Sequence, residues 1–262
     1  MFDNATVKGV LSRVPEVTLI FWIIKILSTT VGETAADFLA VTLNFGLVGT
    51  SVVMGILLVI ALANQLRLKR YVPASYWTVV VLTSIVGTLV TDYLVDDRGI
   101  SLVTTTVVFS GILLAIFAVW YAREKTLSMH SITTLTRESF YWAAILFTFA
   151  LGTAAGDLIA ESSGLGYALS LVLFAALIAL IAAAHFAFKL NGVLAFWLAF
   201  ILTRPLGAST GDWLSQPVAD GGLGLGTVTT SLVFLVVIIG LVGFITLRQR
   251  RQGPPLAEPE PA

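Results

Sequence analysis

The sequence predicts an all-α polytopic membrane protein of eight transmembrane helices, built from four parallel two-helix repeats. Three observations carry that prediction. The 262 residues are 57% hydrophobic and only 11% charged, with a mean hydropathy of +0.96. A soluble chain carries about 25% charged residues, so there is too little polar surface here to wrap a core in water. Apolar runs of about twenty residues, enough to cross a hydrocarbon layer of about 30 Å, recur from residue 18 to residue 247. A three-point motif also returns four times at one spacing. The net charge is zero and there is no Cys, so nothing points to nucleic acid, and disulfides and thiolate metal sites are excluded.

The runs are justified in order. The first, 18–41, is too long for a signal-peptide core, contains Lys25 and lacks a small-x-small cleavage site, so it reads as a span. Spans at 46–66, 76–95, 100–122, 140–161, 165–188, 193–215 and 224–247 follow, each long enough at about 1.5 Å per residue. Lys8 and Arg13 precede span 1; Arg67, Lys69 and Arg70 follow span 2. Arg123, Lys125 and Arg137 lie between spans 4 and 5, Lys189 between 6 and 7, and Arg248, Arg250 and Arg251 after 8. That places twelve of the fifteen basic residues on one side, whereas the opposite loops hold only Arg98, beside Asp96 and Asp97. The positive-inside rule therefore puts both termini in the cytoplasm. Residues 1–17 form a cytoplasmic N-terminal segment, 18–122 and 140–247 two four-helix halves, and 123–139 a cytoplasmic connector. The tail 248–262, with four Pro and two Glu, reads as disordered. The Asn4-Ala5-Thr6 glycosylation pattern would face the cytoplasm and reads as chance.

Aromatic-Trp pairs open the odd spans: Phe21-Trp22, Tyr76-Trp77, Tyr141-Trp142 and Phe196-Trp197. Ten residues after each Trp stands a Gly (Gly32, Gly87, Gly152, Gly207), and five after that an Asp (Asp37, Asp92, Asp157, Asp212). Four ungapped copies define a tandem repeat of one helical hairpin. The Trp-to-Trp intervals of 55, 65 and 55 residues suggest two halves offset by 120. Each repeat holds two spans, so all copies enter from the same side and the symmetry axis lies along the membrane normal, unlike that of inverted-repeat transporters.

Over residues 18–247 the chain resembles the bacterial and archaeal integral membrane proteins built from four tandem copies of a domain of unknown function, each with two transmembrane regions and a Trp. The phrases Lys25-Ile-Leu-Ser-Thr-Thr-Val-Gly-Glu-Thr-Ala-Ala-Asp37 and Phe200-Ile-Leu-Thr-Arg-Pro-Leu-Gly-Ala-Ser-Thr-Gly-Asp212 are similar to its first and last repeats. The resemblance implies the fold and a bacterial inner or archaeal plasma membrane location. It brings no established activity or site, so function is argued from the residues.

At about 100° per residue, the Trp, the residue three before Gly, the residue after Gly and the Asp fall within about 80° on one face. That face reads Trp22, Lys25, Thr29, Glu33, Asp37 in span 1 and Trp77, Ser84, Thr88, Asp92 in span 3. In span 5 it is Trp142, Phe149, Thr153, Asp157, and in span 7 Trp197, Arg204, Ala208, Asp212. Polar groups are expensive in hydrocarbon, so these stripes should face one another around a common polar pit, with the even spans outside as a lipid-facing shell. The small-xxx-small pairs that begin at each Gly are explained by close helix packing alone. Trp120 and Trp213 read as interfacial belt residues, and Pro205 predicts a kink in span 7.

Glu33, Asp37, Asp92, Asp157 and Asp212 are the candidate ligands for a cation. Lys25, Thr29, Ser84, Thr88, Thr153 and Arg204 are candidates for lining its path. Such an acidic set binds cations, holds protons, or does both. Lys25 and Arg204, a turn or more deeper, would partly neutralise the ring and block leak, with Lys25 two turns below Glu33 to form a charge pair. Repeat 1 alone carries two acids four residues apart, so Glu33 and Asp37 are expected to matter most. An oxygen-only lining suits a hard divalent ion such as manganese, magnesium or calcium. The favoured expectation is a transporter or exporter of a small cation, with proton coupling open, and the bilayer, the cation and protons as partners. The alternative is a non-transporting scaffold or sensor with a structural polar core. No enzyme is expected: Gly207-Ala-Ser-Thr-Gly211 matches a nucleophile-elbow pattern in the wrong context, with His130 and His185 at the far end of the bundle.

Overall fold

The computed structural model describes residues 12–251. Residues before 12, with Lys8 and the Asn4-Ala5-Thr6 pattern, and the Pro-rich tail from 252 lie outside the described residues. Among the described residues, eight helices are long and apolar enough to cross a membrane. They are α1 (Leu19–Asp37), α2 (Gly46–Arg67), α3 (Pro73–Asp92), α4 (Leu102–Glu124), α5 (Leu135–Asp157), α6 (Tyr167–Phe188), α7 (Gly192–Ser215) and α8 (Thr227–Arg251). There is no strand among the described residues.

The inner helices start on explicit signals. Thr18 caps α1 by accepting from the Phe21 amide, Pro73 sits in the first turn of α3, Thr134 accepts from the Arg137 amide, and Asn191 accepts from the Val193 and Leu194 amides. Two of these starts precede the apolar runs by three residues or more. α3 begins at 73 rather than 76, and α5 at 135 rather than 140, because their first turns are polar. α1, α3 and α5 each continue past the repeat Asp into one π turn: Phe38–Thr42, Tyr93–Asp97 and Leu158–Ser162. In the fourth repeat α7 remains α-helical to Ser215. α7 also runs unbroken through Pro205, whose ring lies against Gly152 and Gly156 of α5.

The odd helices form a closed four-membered ring in which α1 packs on α3, α3 on α5, α5 on α7, and α7 on α1. Between 50 and 61% of each inner span is buried, against 6–17% of each outer one. The outer helices therefore make the lipid-facing shell. One expectation is corrected here: the sequence repeat is not a packed hairpin. The two helices of repeats 1, 2 and 3 share no extended interface. Each outer helix instead lies along the next inner one, α2 on α3, α4 on α5 and α6 on α7, and α8 closes the circle on α1.

The repeat glycines make the inner ring possible. A Cβ on Gly32 would overlap Ser84, one on Gly87 would overlap Phe149, one on Gly152 Arg204, and one on Gly207 Thr29. Each Gly thus receives the residue three before the Gly of the neighbouring repeat, and the fourth contact returns to the first helix. Since lipid tails are as apolar as Leu, such close packing and interhelical hydrogen bonds hold the bundle together. Thr91 Oγ1 donates to the Ala150 carbonyl at 3.0 Å and Thr29 Oγ1 to the Thr203 carbonyl at 3.1 Å.

Candidate functional site

The inner faces repeat every four residues and stack as layers along the axis. Nearest the helix starts is an aromatic layer. Tyr76 and Tyr141 share a hydroxyl–hydroxyl hydrogen bond of 2.5 Å, Phe21 packs on Trp77 and Phe196, and Trp142 and Trp197 pack on the two tyrosines. The Trp indoles are anchored there as packing residues, Trp77 on the Tyr71 hydroxyl and Trp197 on the Leu127 carbonyl. Trp120 belongs to this layer too. It is fully buried, stacked on Phe140 and edge-on to Trp197. It is not a belt residue, because the neighbouring inner helices cover it.

Next comes Lys25, also fully buried. Its ammonium lies 4.1 Å from the Phe149 ring centre and 4.2 Å from that of Phe200, and it donates to Thr203 Oγ1 at 3.3 Å. Cation–π contact replaces part of its hydration. The expected pairing of Lys25 with Glu33 is not found. Glu33 is taken by Arg204, which reaches it from α7 across the ring.

The guanidinium of Arg204 sits on the bundle axis. Its Nη2 donates to Glu33 Oε2 at 2.6 Å, to Thr153 Oγ1 at 2.7 Å and to Thr88 Oγ1, while Nη1 reaches the Thr29 carbonyl at 3.3 Å. Glu33, Thr88 and Thr153 hold the same position in repeats 1, 2 and 3. The fourth equivalent is Ala208, one turn along Arg204's own helix. Ser84, at the level of Thr29, packs against Gly32 and its hydroxyl has no partner among the described residues.

Above this collar a cavity of about 130 Å³ is lined by Glu33, Asp37, Asp92, Asp157 and Asp212, the five acids expected from the sequence. Among the described residues the carboxylates of the four Asp make no hydrogen bond or ion pair. The same cavity is lined by Asp96, Glu161 and Gln216, which the sequence reading passed over. One further step of four residues from Asp92, Asp157 and Asp212 would have found them; the same step from Asp37 reaches Val41. Asp96 and Glu161 are exposed, so the pit opens at this end. The space exceeds that of a single water several-fold. Still, no group of three carboxylate or His side chains among the described residues comes close enough to hold one metal ion. The acids share a pit without forming a coordination shell.

A second buried acid was also missed. Glu138, fully buried near the start of α5, accepts from Arg13 at 2.7 Å, Gln65 at 2.9 Å and Trp142 at 3.3 Å. His185, by contrast, only closes the end of α6 through the Leu190 carbonyl at 2.8 Å. Ser209 is buried and its hydroxyl has no hydrogen-bond partner among the described residues.

Eight apolar helices, a polar axis and a fourfold inner ring define a multi-pass membrane protein of tandem-repeat design. Residues 20–71, 75–126, 140–191 and 195–251 match the family described as Repeat of Unknown Function (DUF347), and the chain belongs to that family. Comparison with curated proteins and with solved structures gives no match.

Proposed function

We propose that the protein is an integral membrane transporter or exporter of a small cation, captured in the acidic pit and passed along the axis of the inner ring. The observation that carries this reading is the set of four Asp at equivalent repeat positions, lining one open pit with Glu33 and lacking partners among the described residues. Carboxylates in a confined mouth focus the field and concentrate counter-ions. Packing alone needs no such group, since an acid inside a membrane costs free energy. Eleven basic residues at the opposite end, among the described residues, support a pit facing away from the cytoplasm and cytoplasmic termini, in a bacterial inner or archaeal plasma membrane. The all-oxygen lining suits a hard ion, with manganese the first to test and protons the coupling ion to monitor. The reading is one of transport, not catalysis.

A scaffold or sensor is the competing reading, favoured by one observation: the deepest acid, Glu33, is engaged through its Oε2 by Arg204 and Thr88. Flux separates the two. Purified protein in liposomes containing a manganese-quenched dye and a pH dye should carry Mn²⁺. Glu33→Gln and Asp37→Asn should each lower the rate about tenfold, or about 1.4 kcal/mol of barrier, and Asp92→Asn less. No flux of Mn²⁺ or of protons from folded wild-type protein would leave the scaffold standing.

A further inference from the structure

We propose that the oxygen cage formed by Glu33, Thr88 and Thr153 is a binding site for one small cation, occupied in this state by the protein's own Arg204. The proposal rests on the transport reading only for how a cation would arrive there. The cage is defined around a single atom. Three oxygens converge on Nη2 of Arg204: Glu33 Oε2 at 2.6 Å, Thr153 Oγ1 at 2.7 Å and Thr88 Oγ1. That nitrogen carries two hydrogens, so acceptors outnumber donors. Side chains selected only to satisfy a guanidinium would spread over its five donors, yet Nε is buried with no partner among the described residues. Oxygens gathered on one point make the shell of a cation.

The position in the bundle agrees. The three oxygens come from one repeat position on three different helices, so the cage lies on the pseudo-fourfold axis, where a path through the ring must pass. The fourth position is Ala208, which contributes no oxygen and leaves room for the guanidinium arriving from the preceding turn. The pit directly above is rich in carboxyls but brings no three together for one ion. It can gather hydrated cations, whereas the cage is where an ion would exchange water for protein oxygens. Below the cage, Lys25 between Phe149 and Phe200 closes the axis. An incoming cation and the Arg204 side chain therefore compete for Glu33, and binding of one releases the other.

Removing the tethered cation should leave a site that a free one can fill. Arg204→Ala, purified in detergent, is melted with guanidinium chloride in the low millimolar range, with equal urea and equal sodium chloride as controls. The expected result is a saturable rise of a few degrees in melting temperature with guanidinium and also with equal manganese chloride, beyond any with sodium chloride, absent in the wild type and in Arg204→Ala/Glu33→Gln. A rise with guanidinium but not with manganese marks a socket for the arginine itself and overturns the cation site. A response equal to that of urea, or one unchanged by Glu33→Gln, overturns the site. Arg204→Ser, which leaves the cage open, is read on the same criterion if Arg204→Ala does not fold. Recovery of either variant only when guanidinium or, equally, manganese is present during purification supports the site, and recovery of neither under any condition overturns it. A rescued variant of a wild type that carries no Mn²⁺ keeps the site and discards transport. Transport without rescue does the reverse.

Discussion

Glu138 shows what a single buried carboxylate does in this molecule. It draws Arg13 from the segment before α1, Gln65 from α2 and Trp142 from its own helix onto one side chain with no exposed surface. Removing one partner from such a buried pair leaves an uncompensated charge, at a cost of about 3–5 kcal/mol. Glu138→Ala is therefore expected to lower the melting temperature of the purified protein sharply. Arg137→Ala, which breaks the part-exposed Arg137–Glu124 pair at 2.6 Å, should cost about 1 kcal/mol or less. Equal effects of the two variants in a thermal melt would contradict the burial argument. Glu138 was not legible in the sequence because its equivalents are Thr18, Pro73 and Val193. The repeat gives it no signature, and its partners stand 125 and 73 residues away. The axial residues were legible for the opposite reason, since repetition marks Glu33, Thr88 and Thr153 as one position. The step from a common face to a shared contact with Arg204 needed the structure, because helical angles say which side a residue occupies and not how far a side chain reaches across the ring.

At the level of the element, glycines divide by the helix that holds them. Those of the inner ring are filled by a neighbouring side chain, while a Cβ on Gly55 of α2 or Gly111 of α4 meets nothing within 4 Å. Gly207→Ala forces Thr29 aside and is expected to cost about 1–3 kcal/mol. Gly55→Ala adds only helix propensity, a gain of about 0.5–1 kcal/mol. Opposite shifts in melting temperature are the expected outcome, and matching ones would mean that the inner helices sit farther apart than described. Apolar runs located all eight helices, but not the polar first turns at 73 and 135. Nor could they announce the π turns, which are a hydrogen-bonding choice without a residue code. Those turns follow the Asp in three repeats, at the mouth of the pit, the kind of place where π turns often occur in functional sites.

For the whole molecule, the expectation that polar stripes avoid lipid led directly to an inner ring and an outer shell. Which outer helix lies on which inner one was not legible, because the outer helices are apolar nearly all round and carry no stripe to mark a partner. The orientation can be checked without altering native reactivity, since the chain has no Cys. Leu68→Cys, in the turn between α2 and α3, should be labelled by an impermeant thiol reagent only after the cytoplasmic face is opened. A cysteine at Gly99, between α3 and α4, should react from outside in intact cells. The reverse pattern would invert the pit and turn an outward mouth into an inward one.

The packing of α8 on α1 repeats the contact that α2, α4 and α6 make with the helices that follow them. The ring consequently has no privileged beginning. A chain circularly permuted to start at Lys69, with a linker joining the old ends and the new terminus after Leu68, would keep every inner and outer neighbour in place. Its new ends would lie at the same end of the bundle as Ser12 and Arg251, beside the same basic residues. The order in which the four repeats are translated is thus a matter of genetic bookkeeping, whereas their order around the axis decides where Glu33 and Arg204 meet.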